Sequence, residues 1–281
     1  MIDLHVHTTY SDGEKTPLEI LDMCHLMGIT HLAICDHNIM DGAKEACLHN
    51  PYPDITVIPG VELSAKAPQK GATLHILGLG VDVKNKALCD ITDTIRNSNS
   101  TRFKYGIDLL LEVYGLRFEL CDVQEVLSRK GNIGRPEMAK LCLKYGYVQD
   151  IEMAFKKYLN PIRDELDKIR VSYEGEECIK YILEAGGIPC IAHPVELQMN
   201  MPDTRDYILR LKRHGLQAIE VYHSKQSEEY SQNIMKMAKE LGLLYSVGSD
   251  YLGPNVSPDV ELGLGCNHNL GKISASVLTK L

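Results

Sequence analysis

The sequence predicts an α/β protein: a sheet of parallel strands, closed into a barrel or left open, interrupted by a block of helices. Three observations carry this. Short apolar runs alternate with helical stretches at both ends of the chain. From about Asn85 to Lys168 the pattern turns helical, with few strand signals. Histidines and acids recur at or near the C-terminal ends of the strands. The expected division is 1–84 and 169–281 for the barrel or sheet domain and 85–168 for a helical insertion.

The first strand opens the chain, M-I-D-L-H-V-H-T-T-Y-S-D-G. Ile2, Leu4 and Val6 alternate with Asp3, His5 and His7, so both imidazoles should project from one face, followed by Asp12 in a Ser-Asp-Gly turn. Such a group can hold a divalent metal, since imidazole and carboxylate are common ligands of zinc, manganese and iron; it can also be polar alternation at a sheet edge. Thr16 and Pro17 open a helix to about Met27, with Glu19 placed for a capping box and Gly28 as its stop. Ile29–Cys35 is a second strand ending in Asp36-His37-Asn38, and strand–helix–strand implies a parallel pair. Ile55–Ser64 is a third, with Glu62 near its end, and Thr73–Val81 a fourth, carrying His75.

Within the helical block, Val83–Tyr114 reads as one or two long helices, and Cys121–Arg129, Pro136–Tyr145 and Asp150–Tyr158 as short ones. Turns fall at Gly115, Gly131-Asn132, Gly146 and Asn160-Pro161, and Arg135 stands apart in Gly-Arg-Pro. Alternation then resumes. Helices at Glu174–Ala185, Asp203–His214 and Ser227–Leu241 separate strands at Ile188–His193, Gln217–Tyr222 with Glu220, and Leu243–Asp250. Glu261–Gly265 reads as a last short strand.

Composition excludes some function classes. A net charge of -8 gives no general attraction for polyanions, so extended nucleic-acid binding is not expected, though one phosphate could still meet a local positive site. No apolar stretch is long enough to span a membrane, and residues 1–13 lack the basic-then-apolar layout of a signal peptide. The nine cysteines, among them Cys24, Cys89, Cys142 and Cys190, show no paired close spacing; they read as reduced core thiols, and with them a cytoplasmic protein.

A histidine or acid on one apolar strand is usually a satisfied core residue. The same placement on most strands is not explained that way: His5, His7, Asp36-His37, Glu62, His193 and Asp250 would line one common mouth. Burying several carboxylates without cations costs several kcal/mol each, and metal ions remove that cost.

The runs D-L-H-V-H-T-x-x-S-D-G, C-D-H-N, G-V-E-L-S, L-H-I-L-G, A-H-P and G-S-D resemble the PHP (polymerase and histidinol phosphatase) family of metal-dependent phosphoesterases. The similarity covers nearly the whole chain and points to the stand-alone branch acting on AMP and 3',5'-bisphosphonucleotides, in which a helical insertion precedes A-G-G-x-P-x-x-A-H-P, here Ala185–Pro194. It implies a distorted (β/α)7 barrel with metals at the C-terminal mouth. It implies a first metal on His5, His7, Glu62 and Asp250, a second on Glu62, His75 and His193, and a third position at Asp12 and His37. Asp36 is expected to orient His37, and Glu220 and Ser249 to support the mouth by hydrogen bonding.

Three departures bear on activity. Family members usually read G-S-D-x-H, and this chain has Leu252 at the last position, so two divalent ions (manganese, iron or zinc) are expected, with a weak or empty third site. Glu137 follows Gly-Arg-Pro where the branch often has His. Gln226 stands where a His is common, with His223 three residues earlier. The resemblance implies hydrolysis of a phosphomonoester of a small, nucleotide-like substrate by metal-activated water. Arg135 would reach a phosphate, unless it forms a surface salt bridge. His223 is a candidate leaving-group acid or a rim residue. Other readings are a histidinol-phosphate phosphatase, a short-oligonucleotide exonuclease and a metal-stabilised, non-catalytic nucleotide-binding module. Oligomeric state stays open.

Overall fold

A computed structural model describes residues 1–128, 133–270 and 273–281. Two compact units emerge, Met1–Ile91 with Ser172–Leu281, and Thr92–Val171.

The first unit is built on seven strands: β1 (Ile2–Val6), β2 (His31–Ile34), β3 (Thr56–Ala65), β4 (Leu74–Leu79), β5 (Ile188–Ile191), β6 (Ala218–His223) and β7 (Leu244–Gly248). They lie side by side in chain order. The edges nearly meet. Beyond β7, the Asp250 N–H donates to the His5 carbonyl (2.8 Å) and the His7 N–H to the Tyr251 carbonyl (3.1 Å), so the sheet curls into a barrel, as a (β/α)7 fold requires. Gly248 permits this closure: a Cβ there would fall 2.7 Å from Glu220 Oε1 and 2.9 Å from the His5 nitrogen.

The pairing is parallel except at β4, which runs antiparallel to both β3 and β5. Residues 66–73 between β3 and β4 carry no helix and are too few for the crossover that a parallel neighbour needs. In β1 the ladder slips between Asp3 and Val6, so strict alternation fails there, yet His5 and His7 still meet, with their Nε2 atoms 3.2 Å apart.

Leu4, Ala33, Leu77, Cys190, Ala218 and Val247 fill one buried cluster; Val6, Leu32 and Ile34 pack with Ile20 and Leu21 in another. Ile20 and Leu21 come from helix α1 (Pro17–Met27), whose Thr16–Glu19 capping box forms in full. Helix α2 (Asp41–His49) has no counterpart in the sequence reading. Its D-G-A-K-E-A-C-L-H buries only Gly42, Ala43 and Ala46, too little apolar surface to leave a periodic signal.

Helix α3 (Lys86–Tyr114) is a single long helix. It is followed in the second unit by α4 (Leu120–Leu127), α5 (Arg135–Lys144), α6 (Ile151–Ala154), a π-helical turn (Phe155–Leu159) and α7 (Arg163–Lys168). Phe103, Leu110, Met138, Cys142, Leu159 and Leu166 form a core of this unit's own. The turn expected at Gly131-Asn132 lies outside the described residues, as does Arg129. The barrel unit resumes with α8 (Gly175–Glu184), α9 (Met201–Arg213) and α10 (Glu228–Glu240). Where one last strand was expected, β8 (Val260–Glu261) and β9 (Gly265–Cys266) pair antiparallel, turning at Gly263 with φ 71°. The cysteines are not all core thiols: Cys24, Cys35, Cys142, Cys178 and Cys190 are buried, but Cys47 and Cys121 are exposed.

Candidate metal centre

Barrel topology brings the predicted polar residues to one mouth. β1 delivers His5 and the residue after it is His7; the residues after β2 deliver His37, β3 Glu62, the residues after β5 His193, and those after β7 Asp250. His75 joins them because β4 is reversed: its first residues lie where its neighbours end, and His75 pairs with Ser64 at the end of β3.

Glu62 stands at the centre, 1% exposed. Its Oε1 lies 2.8 Å from His75 Nδ1 and 2.9 Å from His193 Nε2, which are 3.3 Å from each other. Its Oε2 faces His5 Nε2 (3.3 Å), His7 Nε2 (3.2 Å) and His37 Nδ1 (3.0 Å). Asp250 Oδ1 closes the first group, 3.2 Å from His7 Nε2 and 3.9 Å from His5 Nε2. Asp12 is set apart. Its Oδ2 is 3.7 Å from His37 Nε2 and its Oδ1 3.5 Å from His7 Nδ1. Among the described residues, each group of three ligand atoms within 4.8 Å of one another omits Asp12.

Outer partners aim these side chains. Glu220 Oε1 accepts from His5 Nδ1 (2.9 Å), which turns His5 Nε2 toward Glu62, and its Oε2 accepts from the His193 N–H (2.6 Å). His193 and Asp250 hold left-handed backbones, φ 26° and 55°, a strain of the sort that surrounding hydrogen bonds sustain at functional sites. Asp36 plays a different part from the one expected. It accepts from the Thr8 N–H (2.7 Å), the Thr8 hydroxyl (2.7 Å) and the Ser11 hydroxyl (2.6 Å), and Ser11 lies 3.2 Å from His7 Nδ1. Asp36 therefore steadies the turn beside His7 and does not orient His37. Ser249 is held by Asp3, which accepts from its N–H (2.9 Å), its hydroxyl (2.6 Å) and the Gly263 N–H (2.7 Å).

Charge is balanced inside the cage. Burial pulls the His5 imidazole down, but Glu220 and Glu62 more than offset this and hold it well above its usual range. His7 is raised in the same way, burial being outweighed by Asp250, Glu62 and Asp12. Burial pushes Glu62 and Asp250 up, yet the neighbouring imidazoles draw both well below the usual carboxylate range: chiefly His37, His75 and His5 for Glu62, and His223 and His7 for Asp250. His75 is lowered, because there burial prevails over Glu62. Protons on imidazoles offset the buried carboxylates here, and a cation binding such ligands displaces protons.

The residues fit a divalent ion. Asp12 Oδ1, His37 Nδ1, Glu62 Oε2 and His193 Nδ1 are buried atoms without a hydrogen-bond partner, although each has an oppositely polarised neighbour. Buried polar atoms so placed are costly, and a cation among imidazole nitrogens and carboxylate oxygens would satisfy them.

Of the two residues expected to act on the substrate, His223 is buried and Arg135 lies in the helical unit, where the sequence put it. His223 is not at the rim: it is fully buried, its Nδ1 accepts from the Lys225 N–H (3.1 Å), and its Nε2 is 3.3 Å from Asp250 Oδ2. Arg135 belongs to the helical unit, where its guanidinium lies over the Phe155 ring and 3.5 Å from Asn160 Oδ1. Sequence reasoning missed Asp3, Glu196 and Lys225. Lys225 Nζ is 2.8 Å from Glu196 Oε1 and 3.7 Å from Asp250 Oδ2, and Glu196 Oε2 is 3.3 Å from His193 Nδ1. Asp3, alternating with His5 and His7 in the first strand, carried a legible signal; Lys225, in the turn after β6, and Glu196, in the 3-10 turn Pro194–Leu197, carried none.

A family model described as the PHP domain matches residues 3–249. The chain belongs to the PHP family. Among its PHP relatives, a 5'-3' exoribonuclease of Haemophilus influenzae is 31% identical over 254 residues, covering 90% of both chains. A 3',5'-nucleoside bisphosphate phosphatase of Chromobacterium violaceum is 31% identical over 262 residues, covering 90% of this chain and 87% of its own. A solved Chromobacterium violaceum amidohydrolase with bound sulfate superposes at TM-score 0.76 and 30% identity, covering 91% of this chain and 88% of its own. A Bifidobacterium adolescentis structure reaches TM-score 0.77 at 22% identity over 99% of this chain and 94% of its own, a likeness of fold. Among the described residues, no helix of this PHP protein is long and apolar enough to cross a membrane.

Proposed function

We propose that this PHP enzyme hydrolyses the phosphomonoester of a small, nucleotide-like substrate. The observation that carries the proposal is Glu62, whose two oxygens face two separate sets of imidazoles, as a carboxylate shared between two cations would. His5, His7, Glu62 and Asp250 would hold one divalent ion and Glu62, His75 and His193 a second. Asp12 and His37, with Leu252 in place of a ligand, would hold a third weakly or not at all. Manganese, iron and zinc all suit these donors. Once bound, the ions would supply Lewis acidity toward a phosphate and activate a water for in-line attack.

The chain's own residues set the geometry. Glu220 fixes His5 and the His193 backbone; Ser11 and Asp36 fix His7. His223, with Nδ1 committed to the Lys225 N–H, orients Asp250, which leaves it badly placed as a leaving-group acid. Lys225 brings an ammonium to the mouth, where a phosphate would meet it. Side-chain exposure of 32% at Asp12, 19% at His37 and 17% at His75, against 0% at His5, marks that side as the approach. We read the helical block, expected at 85–168, as an insertion in the barrel domain, and the enzyme as cytoplasmic.

Nucleotides are the favoured substrate class because the relatives include a bisphosphate phosphatase, and a structure 30% identical holds sulfate, a tetrahedral anion shaped like phosphate. A second reading, exonucleolytic cleavage of short oligoribonucleotides, is favoured by the relative named a 5'-3' exoribonuclease. Manganese-loaded protein should release phosphate from nucleoside monophosphates or 3',5'-bisphosphates, and chelation should stop it. Nucleotide release from short oligoribonucleotides instead would favour the second reading, and no turnover of either class at any metal loading would reject both.

A further inference from the structure

His5 and His193 face opposite oxygens of Glu62, and each meets a second carboxylate through its other ring nitrogen. The two supports differ in kind. For His5 the support is Glu220, 0% exposed, with both oxygens spent inside the cage, on His5 Nδ1 (2.9 Å) and the His193 N–H (2.6 Å). For His193 it is Glu196. The 3-10 turn Pro194–Leu197 folds this residue back: the Glu196 N–H donates to the His193 carbonyl (2.9 Å), and Glu196 Oε2 comes to 3.3 Å from His193 Nδ1. The turn is tied to the start of β4, because the Thr73 N–H donates to the Glu196 carbonyl (3.0 Å). The other carboxylate oxygen, Oε1, lies 2.8 Å from Lys225 Nζ, in the turn after β6. One carboxylate thus joins the segments after β5 and β6 and touches a cage imidazole.

The ring nitrogens fix what that contact can do. His193 Nε2 lies 2.9 Å from Glu62 Oε1, so a cation beside that oxygen meets Nε2 and needs it free of hydrogen. The proton of a neutral imidazole then sits on Nδ1. Nδ1 is buried and has no hydrogen-bond partner in the metal-free chain, yet Glu196 stands beside it, one small ring rotation from accepting its proton. A carboxylate that accepts this N–H sets the tautomer and orientation of a metal-binding histidine and raises its basicity. With its side chain 27% exposed, Glu196 is not sealed in place as Glu220 is, and Lys225 holds the oxygen that does not face His193.

We propose that Glu196 is the positioning residue of His193, accepting its Nδ1–H when a divalent ion is held by Glu62, His75 and His193, and that Lys225 latches Glu196 in that position. The inference rests on the two-ion reading above and assigns what sets the second ion's affinity. The first ion's outer support is sealed and the second's is a partly exposed ion pair, so the second ion is the more weakly held.

The test uses full-length, metal-stripped protein titrated with zinc against a chelating dye, with bound metal counted by elemental analysis. Wild type should take up two ions in two steps, the second weaker. Glu196→Ala should weaken the second step by about 10–100-fold and leave the first within about twofold. Glu196→Gln keeps an acceptor oxygen and should recover most of that loss. Lys225→Met should weaken the second step by about two- to fivefold, the effect of a partly exposed ion pair. A spectroscopic readout separates positioning from mere loop support. In zinc-loaded protein labelled with 15N-histidine, the His193 Nδ1–H should give a resolved signal in the wild type and be lost to solvent exchange in Glu196→Ala. A second step unchanged in Glu196→Ala, an equal loss in both steps, or Glu196→Gln binding no better than Glu196→Ala overturns the inference. So does a His193 Nδ1 without a proton in the zinc-loaded wild type, which needs no variant to fold. Because nothing is turned over, absence of hydrolysis elsewhere would end the phosphoesterase reading and leave this result standing. Wild type that takes up fewer than two ions would end the two-ion reading and this inference with it, whereas two ions with an unchanged variant would end this inference alone.

Discussion

The metal cage and the arginine cluster handle charge in opposite ways. In the cage, carboxylates and imidazoles interleave: Glu62 touches five histidines, and Glu220 and Asp250 take up their outer sides. In the cluster, one carboxylate of the helical unit, Asp167, takes up two guanidiniums, those of Arg102 and Arg163. Interleaving is what allows His5, His7 and Glu220 to be sealed at 0% exposure, whereas Arg135, Arg163 and Arg102 keep part of their surface in water. The difference teaches that the cage is already a compensated interior in which a cation would take the place of protons, while around Asp167 the positive charge stays toward water.

The largest effect should come from the shared carboxylate. Glu62→Gln removes the charge between both imidazole sets, and should cut phosphate release by at least about a hundredfold with loss of bound metal by elemental analysis. A variant that keeps both metal and rate would show that Glu62 bridges nothing. Glu220→Gln acts one step out, through the orientation of His5 and the His193 backbone. Metal affinity should fall by about 10–100-fold, read by competition with a chelating dye. Equal affinity in the two proteins would mean that the cage holds its shape without this support.

The compensated interior also predicts a pH dependence for metal-stripped protein. Glu62 and Asp250 are depressed, so their contribution is full above the ordinary carboxylate value of about 4 and is lost as pH falls through their folded values. His5 and His7 are raised, so theirs is full below about 6.5 and is lost as pH rises through their folded values. Stability by calorimetry should therefore be greatest between about pH 4 and 6.5, and metal should restore most of it on the alkaline side, where no protons need be displaced. A flat alkaline limb without metal would contradict the balance described. The smallest effect is expected at the rim. Lys225→Ala should raise KM about two- to tenfold with little change in kcat, since a half-exposed ammonium contributes on the order of 1 kcal/mol. A fall confined to kcat would instead place Lys225 at the transition state.

Much of the barrel and the identity of its polar residues could be read from local pattern. Period-two alternation, caps such as Thr16–Glu19 and glycine stops are short-range features, and the C-terminal ends of five strands named the polar residues in advance. Helix α2 was invisible because small residues meet the barrel there, and Cys47 and Cys121 because a thiol is apolar wherever it lies. Asp36 was misassigned for a similar reason: adjacency to His37 in sequence says nothing about which backbone a carboxylate will reach, and it reached Thr8 and Ser11.

By itself the sequence determined the order of the seven barrel strands, the family, and the histidines and acids that a metal could use, because each rests on local pattern and short motifs. Tertiary structure alone decided that β4 runs backwards and so carries His75 to the mouth, that His223 is buried against Asp250, and that Lys225 and Glu196 stand beside the cage. It also brought Arg102 of α3 and Arg163 of α7 to Asp167. Those outcomes rest on contacts between residues far apart in number, where distance and burial, not spacing, set the charge each group must meet.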